Sequence, residues 1–123
     1  MKRFAFFLLM LIGFTVSIFA QTMLFKPISA TINDSQGNYT SEHFDCPNML
    51  VNDNNTTVDI AIAGDKITLY PNQYNKDTYM SVVRQGNTEV KAVAYRSSST
   101  NKIYLVVMTT QSENKSVTIN FKP

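Results

Sequence analysis

The chain has 123 residues, of which 44% are hydrophobic, 11% aromatic and 16% charged, with one Cys, one His, no Trp and only four Gly and four Pro. That apolar fraction is too high for a disordered chain, a single Cys excludes a disulfide-stapled miniprotein, and so little Gly and Pro excludes collagen-like or linker-like sequence. What remains is one small globular domain.

Met1, Lys2 and Arg3 make a short cationic start, Phe4 to Phe19 is an apolar run broken only by Gly13, Thr15 and Ser17, and the small residue Ala20 follows. This pattern predicts a secretory signal peptide over 1–20 and a single domain over 21–123, secreted or periplasmic. The apolar run is just short of the roughly 17 to 25 residues that a spanning helix needs, so no membrane span is expected after cleavage. Cys46 lies too far downstream to serve as a lipid anchor at the cut.

Removing the leader takes away Lys2 and Arg3 and leaves nine basic and nine acidic residues. Without a net positive charge the domain has no footprint for a phosphate backbone, and no nucleic-acid partner is expected. The charges are nonetheless segregated along the chain. Residues 21–65 hold Lys26 alone against Asp34, Glu42, Asp45, Asp53, Asp59 and Asp65, a net of −5. Residues 66–123 hold eight Lys and Arg against Asp77, Glu89 and Glu113, a net of +5. Interleaving of antiparallel strands is expected to bring the two halves together and pair these charges.

In chain order, Leu24 to Ile32 reads as a strand in which Pro27, lacking a ladder donor, marks an edge or an irregularity. Asp34 to Asn38 reads as a turn, Tyr39 to Phe44 as a short strand, and Met49 to Val51 as another between Asx-rich loops. Thr57 to Ala63 alternates strictly, with Val58, Ile60 and Ile62 on one face. Gly64-Asp65 is expected to turn the chain into Lys66 to Tyr70, with Ile67 and Leu69 inward, and Pro71-Asn72 to end that hairpin. Tyr79 to Arg84, a turn at Gly86-Asn87, and Glu89 to Arg96 follow; the last has apolar groups on both faces and reads as central. Ile103 to Thr109 is the most β-branched run and is expected to be buried on both sides. Lys115 to Phe121 turns Val117, Ile119 and Phe121 inward and leaves one wet face. The fold class is therefore all-β: a single-domain antiparallel β-sandwich or flattened small barrel, largely a meander, of about 7 to 9 short strands.

No catalytic, cofactor or metal signature emerges. His43 and Cys46 are three apart, but nothing in EHFDCPN resembles a nucleophile motif, and one His with one Cys cannot make a four-ligand zinc site. Cys46 reads as a buried inert thiol or, being the odd cysteine of an exported chain, as an intermolecular disulfide. Asn52 to Asn55 with Asp59 offers oxygen ligands without the spacing of a calcium loop and reads as a turn. Acceptor patterns for glycosylation at Asn33, Asn38, Asn54, Asn55 and Asn114 read as exposed loops. Tyr70, Tyr74 and Tyr79 cluster around PNQYNKD and are the candidate contact with a protein or carbohydrate partner. These features predict an exported, non-catalytic binding or structural module. A small secreted enzyme or enzyme inhibitor is the alternative, as is an envelope assembly subunit pairing through an exposed edge such as Leu24 to Ile32.

Overall fold

The computed structural model describes residues 21–34, 36–41 and 44–123. Residues 1–20, where the leader is expected, and His43 lie outside the described residues. The described chain is all-β, with strands β1 (Gln21–Asp34), β2 (Gly37–Ser41), β3 (Met49–Asp53), β4 (Val58–Ile62), β5 (Asp65–Asn72), β6 (Asn75–Gln85), β7 (Thr88–Arg96), β8 (Ile103–Ser112) and β9 (Lys115–Lys122). Eight of them close an antiparallel barrel in the order β1-β3-β4-β5-β6-β7-β8-β9, with β9 returning to pair with β1. The extra strand, β2, pairs with β1 alone. Of the two expected architectures the chain adopts the barrel, and from β3 onward it is a meander.

Two strands turn the barrel's corners, and each does so at a proline. β1 pairs with β3 through Phe25 and with β9 from Lys26, and its register shifts between Pro27 and Ser29. β5 pairs with β4 through Leu69 and with β6 from Tyr70, shifting between Pro71 and Asn72. A residue with no amide proton is tolerated where a ladder is interrupted, and an interrupted ladder lets a strand bend from one wall to the next. Pro27 thus marks an irregularity, as its missing donor implies. Pro71 does not end its strand, which runs through it to Asn72 with a register shift between the two.

Several expectations are corrected. β1 is not an edge, because its successive segments pair with β3, β9 and β2. Within the Leu24 to Ile32 stretch, Ala30 to Ile32 are paired on both sides, whereas Leu24 and Phe25 pair with β3 alone and Lys26 to Ser29 with β9 alone. The hairpin joining β4 and β5 centres on Ala63 and Gly64, one residue earlier than read, and both have positive φ, 52° and 86°. β8 is not buried on both faces, since Tyr104 is 46% exposed. Nor do the two charged halves interleave. β1 to β4 are contiguous around the barrel, as are β5 to β9, so the acidic and basic walls share ladders only at β4–β5 and β1–β9, although Asp53 reaches Arg96 across the interior.

The interior is filled by Phe25, Met49, Val51, Val58, Ile60, Leu69, Tyr79, Ala92, Ala94, Ile103, Val106 and Phe121, all buried. Fully burying one such large side chain contributes about 1.5 to 3 kcal/mol. The outer face carries polar cross-strand pairs: Thr31 with Thr40 at 3.2 Å, Thr109 with Thr118 at 3.1 Å, and Asn120 donating to Ser29 at 3.1 Å. This is the wet face that the alternation of β9 implied.

Candidate functional site

The barrel's two ends differ in chemistry. At one end, where β3 and β7 finish and β6 begins, Arg96 donates to Asp53 from both guanidinium arms, Nη1 to Oδ2 at 2.9 Å and Nη2 to Oδ1 at 2.8 Å. Its Nε donates to the Tyr79 hydroxyl at 3.1 Å, and Nη1 also reaches the Asn101 carbonyl at 3.0 Å. The guanidinium lies 5.2 Å from the centre of the Tyr79 ring, and the Tyr79 hydroxyl donates onward to the Asn55 carbonyl at 3.3 Å. The Asn55 amide completes the set by donating to Asp53 Oδ1 at 2.9 Å. Asp53 and Arg96 are both buried.

A bidentate pair with its remaining donors and acceptors used is the arrangement that makes burial of charge tolerable. Burial alone would raise the Asp53 carboxyl; the Arg96 hydrogen bonds, the Asn55 amide and the Arg96 charge outweigh it and hold the group below its ordinary value. Arg96 is raised further above its already high value, chiefly by its bonds to Asp53 and against its own desolvation. The cluster is a plug.

Period-two counting carries the signal for this plug, although sequence reading missed it. Asp53 shares parity with the inward Met49 and Val51, and Arg96 shares it with the inward Ala92 and Ala94. One acid and one base at inward positions, 43 residues apart, must meet or stay unpaired in the barrel.

At the opposite end the strands part. The β5–β6 ladder stops at Tyr70 and Met80, so Asp65 to Leu69 pair only with β4, and Ser81 to Gln85 only with β7. Between the diverging walls lies a cavity of about 270 Å³ whose lining includes Ile62 and Ile67 on one side and Val83, Val90 and Met108 on the other, with Asp65, Lys66 and Gln85 among its polar residues. Ile62, Ile67 and Met108 also pack against the buried core, so the cleft is an opening of the interior rather than a surface dimple. The aromatic residues of the buried core, Phe25, Tyr79 and Phe121, are not among its lining. A larger concavity of about 410 Å³ at the plugged end is lined by Asp77, Arg96, Ser97, Ser98, Thr100 and Tyr104. It is polar, and its Arg96 is already spent on Asp53, so volume is a poor guide here.

The three tyrosines do not share a surface. Tyr79 is 5% exposed and belongs to the plug, whereas Tyr70 is 58% and Tyr74 88% exposed around the Gln73-Tyr74 turn. Asn72 Oδ1 accepts the Tyr74 amide at 2.8 Å and fixes that turn, a tight hairpin between β5 and β6. Cys46 is a half-buried free thiol packed against the core, and burial pushes its pKa up. Its relation to His43 lies outside the described residues. In the Asx-rich turn Asn54 donates to Thr57 at 3.3 Å and to Asp59 at 3.0 Å, while Asp59 accepts from Thr68 at 2.6 Å. Those oxygens serve the turn itself. Among the described residues no three of His, Cys, Asp and Glu gather to hold a metal ion.

Comparison with protein-family models, curated proteins and solved structures finds no match. The functional reading therefore rests on the site alone.

Proposed function

We propose that this chain is a non-catalytic binding module, acting outside the cytoplasm, that takes an apolar ligand into the open end of its barrel. The cleft between Ile62, Ile67, Val83, Val90 and Met108 carries this reading. Eight strands is the size at which a barrel's interior either fills with side chains or holds one small ligand, and barrel mouths are frequent binding sites. This barrel does the first at the Asp53–Arg96 end and leaves room for the second at the other. The leader-like segment over 1–20 supports the extracytoplasmic setting.

The test is titration of the chain from Gln21 with an uncharged naphthylamine dye whose emission rises in apolar surroundings. Saturable binding is expected. Ile67→Glu, which places a charge on the cleft wall, is expected to abolish it, and Tyr74→Ala to leave it unchanged, with circular dichroism confirming that both variants fold. Dye binding that survives Ile67→Glu would contradict the reading.

A second reading comes from Tyr70 and Tyr74, whose exposure suits contact with a protein or carbohydrate partner. Loss of partner binding in the Tyr70→Ala, Tyr74→Ala double variant, with dye binding retained, would distinguish it.

A further inference from the structure

The wall that opens the cleft is made of two strand edges, with no described strand between them. Ser81 to Gln85 pair with β7 without interruption, and among the described residues no ladder covers their other edge. Asp65 to Leu69 likewise pair with β4 on one side only. Free edges are ordinarily blunted by charges, prolines, bulges or a covering segment, because a row of unpaired amides and carbonyls recruits other strands. This one is regular, free of bulges and proline, and carries two adjacent β-branched residues, Val82 at 46% and Val83 at 36% exposure, with Arg84 its one charge.

We infer that the ligand of the open end is an extended peptide segment that pairs as a strand with the β6 edge from Ser81 to Gln85, antiparallel to it, and places alternate apolar side chains into the cleft. The inference rests on the proposed apolar-binding reading and names its ligand class. One observation selects a peptide over a compact apolar molecule. The cleft floor offers apolar contact, which either would use. The edge above it offers a row of backbone donors and acceptors, which an extended backbone alone satisfies along its whole length. A strand seated there continues the barrel wall, so its side chains alternate by period two. One set meets Ile67, Val83 and Met108, and the other faces solvent beside Val82 and Arg84. Antiparallel pairing matches every other ladder in the barrel.

The probes are three capped heptapeptides that alternate threonine with valine, leucine or phenylalanine and end in lysine for solubility. Each is made in a second form with the alternate ladder amides N-methylated. At least one unmodified peptide is expected to displace the naphthylamine dye and to slow amide hydrogen exchange at Ser81 to Gln85. N-methylation is expected to weaken that peptide by about tenfold or more, since several backbone hydrogen bonds are lost while apolar contact is kept. Equal binding of both forms would overturn strand pairing. Dye binding without any peptide binding would overturn it too, leaving the apolar cleft intact. Failure of dye and peptides alike would overturn both readings.

Discussion

The two ends of the barrel are built from the same alternating strands yet solve the problem of closure differently. At the plugged end, inward positions carry Asp53, Tyr79 and Arg96, whose polar atoms are used on one another and on the Asn55 and Asn101 carbonyls. At the open end, inward positions carry Ile62, Ile67, Val83, Val90 and Met108, which have neither the bulk nor the hydrogen bonds to seal the gap between β5 and β6. The contrast teaches that alternation fixes which side chains face inward, whereas closure depends on what those side chains can do for each other.

The comparison breaks most visibly through the plug. Arg96→Met or Asp53→Asn alone leaves the partner charge buried and unpaired, and each is expected to cost about 3 to 5 kcal/mol in urea unfolding. The Asp53→Leu, Arg96→Met double variant is expected to recover most of that loss, because an apolar pair of similar volume needs no compensation. Phe121→Ala, in the filled interior, is expected to cost about 3 to 5 kcal/mol, and Ile67→Ala on the half-open wall clearly less, about 1 kcal/mol, because its side chain is already partly in water.

The plug also sets acid stability. The folded Asp53 carboxyl titrates below its unfolded value of about 3.9, so its contribution is fully present above that pH. It is lost as pH falls through the lower folded value. Urea midpoints are expected to drop on acidification below about pH 4 in the parent protein, and by a smaller amount in the double variant that lacks the pair.

Smaller effects sharpen the open end. Ala63 sits at φ 52° in the β4–β5 hairpin, a left-handed conformation that costs a side chain other than Gly, Asn or Asp about 1 to 2 kcal/mol. Ala63→Asn is expected to raise stability by up to about 1 kcal/mol, read as a higher thermal midpoint with dye binding unchanged. Thr109→Val removes one half-buried cross-strand hydroxyl contact and is expected to cost about 0.5 to 1 kcal/mol.

Much of this was legible in the sequence. TVDIAIA and KITLY alternate in print as they do in the barrel, and the missing donor of Pro27 pointed to the corner where β1 changes partners. Of the apolar cleft residues, Ile62 and Ile67 were legible as inward-facing, whereas alternation assigned no single face to Val83, Val90 and Met108. Their incomplete burial was not legible, because it follows from where the β5–β6 ladder stops, at Tyr70 and Met80, a pairing between strands that is invisible to a local period. The separation of acidic and basic halves was misread for a related reason: a meander keeps sequence neighbours adjacent, so a charge gradient along the chain becomes a gradient around the wall. The ion pair between Asp53 and Arg96 needed the parity of two distant strands to be considered together.

The account turns on the open end being a ligand site and the plugged end being inert. Its most direct test is a methyl-resolved nuclear magnetic resonance titration of the folded chain with the apolar dye. Shifts confined to the methyls of Ile62, Ile67, Val83, Val90 and Met108, with Val58 and Ile103 unmoved, are the predicted result. Saturation without shifts there, or shifts centred on the Asp53–Arg96 end, would contradict it.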